Sequence, residues 1–190
     1  MNFENSFWNL STNEERKITG KMQEIGFRKT LSSILQESRE RSKLNYCYLC
    51  QKNVTSFCNS HSIPKFVLRN IADNGMVLTS NTFIENPGLD SEIGIKQSGT
   101  FQLICRECDS AFFQEYEEKN NYGLVITDKM MAQIATKNYL QQISKRLIES
   151  QLYNIVSEKF LGVDCSGIQE ITQIDKVSYE NDLSYATKAN

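Results

Sequence analysis

The stretch "TFQLICRECDSAFFQEYEEK", residues 100–119, decides how this chain folds. TFQLIC is apolar and β-favouring, which predicts a strand, and RECDSAFFQEYEEK predicts a helix directly behind it. At the junction stands Cys105-Arg-Glu-Cys108. Two residues between cysteines let both thiolates turn toward one ion while backbone amides hydrogen-bond the sulfurs. A matching pair, Cys47-Tyr-Leu-Cys50, lies upstream, with 54 residues between the two pairs. Together they predict a tetrahedral four-thiolate zinc site with no position left for water, clamping distant parts of the fold. A competing set, Cys47, Cys50, Cys58 and His61, also has ligand spacing, but it leaves Cys105 and Cys108 idle, so the four-cysteine assignment is preferred. A thioredoxin-like redox pair would need a βαβ context that the sequence lacks. Cys58 and Cys165 read as buried or free thiols.

Working outward, residues 11–43 carry helical periodicity. Ser11 and Glu14 fit a capping box, Ile18, Met22, Ile25, Leu31, Ile34 and Leu35 keep helical spacing, and Gly26 is a possible break. NYCYLC is strand-like and runs into the first cysteine pair. Pro64 suits the first position of a short helix, PKFVLRNI. GMVLTSN reads as a strand, and FIENPGLDSEIGIKQSG, with Pro87 and three glycines, as a loop or insertion. From Thr127 to about Phe160 the apolar positions Met131, Ile134, Leu140, Ile143, Leu147, Leu152, Ile155 and Phe160 line one stripe of a long amphipathic helix or helix pair, which is core packing. Residues 163–190 are more polar and acidic, a tail or the start of a further domain.

The 190 residues, 39% hydrophobic, allow one substantial core with appendages. No apolar run approaches the roughly 20 residues that span a bilayer, and the N-terminus has no basic-then-apolar signal pattern. A soluble, cytoplasmic protein is expected, and in a reducing compartment six cysteines serve as metal ligands or buried thiols rather than disulfides. The net charge of -2 excludes a globally basic nucleic-acid coat. It leaves room for a local patch: from Arg41 to Ala72 the chain has Arg41, Lys43, Lys52, Lys65 and Arg69 and no acid. Acids dominate from Asp73 to Asp128, and the stretch from Lys129 to Phe160 is basic again through Lys129, Lys137, Lys145, Arg146 and Lys159. The first basic stretch surrounds His61, the only histidine, and suits a polyanion.

Read together, CYLC, NSHSIPKF and FQLICRECDSAFFQEYE resemble the zinc-containing HNH endonucleases of the ββα-metal fold, across roughly residues 44–120. The most specific parts are His61-Ser-Ile-Pro64 and LICRECD. The resemblance implies an α+β fold with an HNH-like core at 44–122, an N-terminal helical segment at 1–43, a C-terminal helical segment at 123–162, and residues 163–190 beyond it. It implies a metal-dependent endonuclease that hydrolyses nucleic-acid phosphodiesters, DNA ahead of RNA, with His61 as general base. A neutral imidazole of ordinary pKa near ~6.5 suits that task. A magnesium or manganese ion, distinct from the structural zinc, would stabilise the phosphorus and the departing oxygen.

The chain departs from the family pattern at three places. The residue before the histidine is Ser60 where active members usually have an acid. The middle asparagine falls at Thr100, and the final histidine is replaced by Asp109. Asp109 would then be an oxygen ligand of the catalytic ion, with Ser60 beside it and Glu115 or Glu118 as possible replacements for the lost acid. Asp109 also suits a helix N-cap. Lys65, Arg69 and Arg106 are the expected phosphate contacts. The alternative reading is a catalytically degenerate HNH-like zinc module that binds nucleic acid or a protein partner. The C-terminal helices are expected to serve a homo-oligomer or a fused effector domain, and no membrane contact is expected.

Overall fold

The computed structural model describes residues 21–78 and 92–189, and shows a mixed α+β chain in which helices dominate and the sheets are small. The elements are α1 (Lys21–Arg41), β1 (Ser60–His61), α2 (Lys65–Ile71), β2 (Met76–Leu78), β3 (Glu92–Gly94), β4 (Thr100–Phe101), α3 (Arg106–Phe112), α4 (Gln114–Glu117), a 3-10 helix (Lys119–Gly123), α5 (Asp128–Lys159) and α6 (Ser166–Lys188). β1 and β4 pair antiparallel, with Ser60 opposite Phe101 and His61 opposite Thr100. β2 and β3 form a second antiparallel pair centred on Val77 and Ile93. Among the described residues no helix is long and apolar enough to cross a membrane.

The chain divides into two compact units. The first takes residues up to Ser42 together with Leu147–Gln173. Its interior holds Leu31 and Ile34 of α1, Leu152, Ile155 and Val156 of the later part of α5, and Cys165 just before α6. Arg41 bridges Glu37 and Glu158 at 2.7 and 2.8 Å. Gly26 lies within α1 with open space where a side chain would project, so it does not break the helix. The proposed capping box and Ile18 lie outside the described residues.

The second unit takes Lys43–Arg146 with the chain from Ile174 onward, and contains both cysteine pairs, His61 and Asp109. Phe101, Leu103, Ile104, Phe113, Leu140 and Ile143 are among its buried side chains. The run expected as one strand through Cys105 ladders only at Thr100–Phe101. Beyond Phe101 its carbonyls turn to other segments: Leu103 accepts from Tyr48 N and Ile104 from Cys58 N, at 2.8 and 2.9 Å. The single helix expected behind it is two, α3 and α4, joined at Phe113, whose φ of -110° and ψ of 24° leave the helical region. Phe113 is fully buried, so anchoring this ring sets the bend.

NYCYLC is a tight knuckle rather than a strand. Tyr46 and Asn53 form an isolated bridge, Cys47 N donates to Lys52 O at 2.8 Å, and Gln51 takes a left-handed φ of 59° to close the turn. Pro64 is the N-cap of α2, one residue before its first turn. Part of the expected insertion is strand β3, and residues 79–91 of it lie outside the described residues. The long helix is a single one, α5. Within the segment expected as a tail or the start of a further domain, Ser166–Lys188 form helix α6, in which Thr172 and Leu183 are buried. Ile168, Ile171, Ile174 and Val177 of α6 are exposed. A step of three residues turns a helix position by about 60°, so these four spread over half its circumference instead of forming one stripe.

Candidate metal centre

Cys47 and Cys50 sit on the turn that Gln51 closes, and Cys47 is completely buried. Cys105 is the N-cap of α3, its Sγ accepting from Cys108 N at 3.5 Å, so the helix start presents both thiols of the second pair. The two knuckles are joined by Cys105 N, which donates to Cys47 Sγ at 3.3 Å. All four Sγ atoms lie within 4.8 Å of one another, and Cys50 and Cys105 are 4.0 Å apart. Zinc–sulfur bonds of about 2.3 Å in a tetrahedron require sulfurs about 3.8 Å apart, so the four thiols fit such an ion. Among the described residues they are the cluster able to hold a metal ion such as zinc.

Burial and backbone amides act in opposite directions on these thiols. Burial pushes the Cys105 and Cys108 thiols up, with the neighbouring thiols adding to the rise at Cys108. Burial also acts on Cys47, but the backbone amides of Cys50, Cys105 and Leu49 outweigh it and bring that thiol down to about 7. Four thiols so close cannot all ionise, because their thiolates would repel one another, unless a metal ion replaces their protons. The mixed set is not assembled. Cys58 donates to Asp109 Oδ2 at 3.2 Å, and burial together with that carboxylate pushes its thiol up to about 11.

His61 and Asp109 are held by different partners. The Ser60 hydroxyl donates to Asp109 Oδ1 at 2.6 Å, while His61 Nε2 lies 3.2 Å from the Ile95 carbonyl. His61 is only 7% exposed. Burial, with the positive charges of Lys65 and Lys137, holds it below its ordinary titration range against the raising influence of the Ile95 and Asn59 backbone. Thr100, opposite His61, gives its hydroxyl to the Gln97 carbonyl of its own turn at 3.0 Å.

Asp109 lies inside α3 and is not its N-cap. Besides Ser60 and Cys58 it meets Lys137 Nζ, 3.4 Å from Oδ1. Burial alone would raise this carboxyl, but those three partners hold it below the usual range. Both of its oxygens are thus engaged, one by an ammonium. This surrounding does not fit the magnesium or manganese ligand that the family resemblance implies. Glu115 and Glu118 do not supply the missing oxygen either: Glu115 serves Thr127 and Lys129, and Glu118 caps the 3-10 helix through Asn120 N.

Lys65 and Arg69 are exposed one turn apart on α2, and Arg106 is exposed at the start of α3 beside the thiol cluster. Sequence reasoning missed Lys137 and Glu117 as site residues. Lys137 falls among the buried positions Met130, Gln133, Thr136, Leu140 and Ile143 of α5, and a lysine interrupting such a stripe was the signal for it. No family model, no curated protein and no solved structure matches this chain.

Proposed function

We propose that the chain is a zinc-organised module of HNH-like ββα build that binds nucleic acid without hydrolysing it. The observation that carries this reading is the engagement of Asp109 by Ser60, Cys58 and Lys137, with His61 held separately at the Ile95 carbonyl. Zinc in the four-cysteine cluster fixes α3 against the first knuckle and so sets Arg106. Lys65 and Arg69 add two exposed cations, and among the described residues no carboxylate forms an ion pair with any of the three. Phosphate contacts of this kind position a duplex and make its affinity fall with salt.

The depressed titration of His61 favours the metal-dependent endonuclease as a second reading, since a neutral imidazole can take a proton from water. One experiment separates them. The zinc-loaded protein is titrated with duplex DNA and with RNA at two salt concentrations, and plasmid nicking is followed with magnesium or manganese. Binding should weaken with salt and drop at least roughly tenfold in the Lys65→Ala/Arg69→Ala/Arg106→Ala variant, as expected for three phosphate contacts. No nicking should appear. Magnesium-dependent nicking that His61→Ala abolishes would establish the endonuclease. Failure to bind either nucleic acid would transfer the module to a protein partner.

A further inference from the structure

Lys137 is the most deeply buried cation of the described chain, with no exposed side-chain surface. Its ammonium has three donors, and three groups receive it: Asp109 Oδ1 at 3.4 Å, Glu117 Oε1 in an ion pair, and the face of Phe113, whose centroid is 4.5 Å away. These groups come from α3, from α4 and from the residue between them, whereas Lys137 comes from α5. The neighbouring residues are fastened as well. Tyr116 N donates to Gln133 Oε1 at 2.9 Å, and the Tyr116 hydroxyl donates to Ser62 O at 2.8 Å, beside His61. Two carboxylates therefore converge on one amine that belongs to the fold itself.

We propose that Lys137 is the resident cation of the Asp109–Glu117 pair, occupying the place a hard divalent ion would take, so that this face of the module is complete without one. The part-buried Asp109 carboxylate is stabilised by a compensating charge. Taken away, the ammonium leaves two carboxylates and the Ser60 hydroxyl around a vacated volume, an oxygen-rich set suited to magnesium or manganese. Lys137 is in this sense a positioning residue: it holds Asp109 toward Ser60 and Cys58 and excludes a competing cation.

This inference rests on the module having no catalytic ion, but the two fail differently. Magnesium-dependent nicking overturns the proposed function, whereas manganese bound at Asp109 overturns the role of Lys137 even where no strand is cut. The test uses His61 as reporter, because a single histidine gives ring signals that need no assignment. Zinc-loaded protein is titrated with manganese, and paramagnetic broadening of the imidazole resonances is followed by NMR. The wild type and Lys137→Arg should show no saturable broadening. Lys137→Ala should gain a one-to-one broadening that adding Asp109→Asn removes. Saturable broadening of the wild type that Asp109→Asn abolishes would overturn the proposal. So would a folded Lys137→Ala variant that stays unbroadened. Where Lys137→Ala does not fold, the wild-type titration decides alone.

Discussion

At the residue scale the outcome turns on how one imidazole is surrounded. His61 has Lys65 and Lys137 as charged neighbours and carbonyl contacts from Ile95 and Asn59, with burial the largest influence, and the net effect is a lowered pKa. A histidine whose folded pKa lies below its unfolded value of about 6.5 binds fewer protons when folded. Its contribution to stability is therefore intact above about pH 6.5 and is lost as pH falls from there through the depressed folded value. An NMR titration of the single ring should give a midpoint below about 6.5, and Lys65→Ala should move it upward. A midpoint at or above that of a free imidazole would mean that the ring is solvated and the burial is wrong. Asp109 behaves in the matching sense for an acid. Its lowered folded pKa keeps its stabilisation in place above about pH 4, to be lost as pH falls through the folded value.

At the element scale, the turn that feeds β4 is where the backbone is most constrained near His61. Gly99 has a φ of 62°, and a Cβ there would stand 2.9 Å from Ser62 Oγ. Its carbonyl also accepts from Ser62 N at 2.9 Å, so the turn and the residue after His61 are held together. Gly99→Ala should destabilise the protein by about 1–2 kcal/mol for the left-handed backbone alone, more if Ser62 cannot rotate, as a shift of the urea midpoint. A midpoint unchanged within error would refute the constraint. The elements also show which parts of the fold could be read in advance. The cysteine pairs were legible because ligand spacing is a local property, and the long helix because helical spacing of apolar residues runs over many turns, although the expected stripe misses at its start, where Met131 is exposed and Met130 is buried. The early end of β4 was not, because Tyr48 and Cys58 take the carbonyls that a continued strand would have used, and the bend at Phe113 was not, because it goes with the burial of that ring among segments distant in sequence. The partners of Asp109 were hidden for the same reason, since Lys137 arrives from a helix that begins nineteen residues later in the chain.

At the scale of the whole molecule, the second unit is assembled from segments far apart in sequence, and the thiol cluster is the knot between two of them. The last helix joins at the same place. Tyr48, inside the first knuckle, donates its hydroxyl to Glu180 of α6, which Lys176 also pairs at 2.9 Å. Burial and then Glu180 drive the Tyr48 phenol well above its ordinary range, so it remains a donor at any pH the protein would meet. Metal binding should thus be coupled to the docking of the chain's final residues. Structural zinc sites are worth on the order of 10 kcal/mol in small peptides, comparable to the whole stability of a domain. Stripping the metal, or replacing Cys105 by serine, should therefore release Lys43–Arg146 and the part of α6 after Ile174 in one step. Hydrogen exchange read by mass spectrometry would show protection falling together in the knuckles, α3 and residues 174–188, and returning together when zinc is restored. Tyr48→Phe should keep one zinc per chain yet raise exchange in residues 174–188, a loss of about 1.5–3 kcal/mol for a hydrogen bond to a charged group. If residues 174–188 stay protected while the knuckles open, the final helix is held by other contacts and the zinc organises only the segment between the two cysteine pairs.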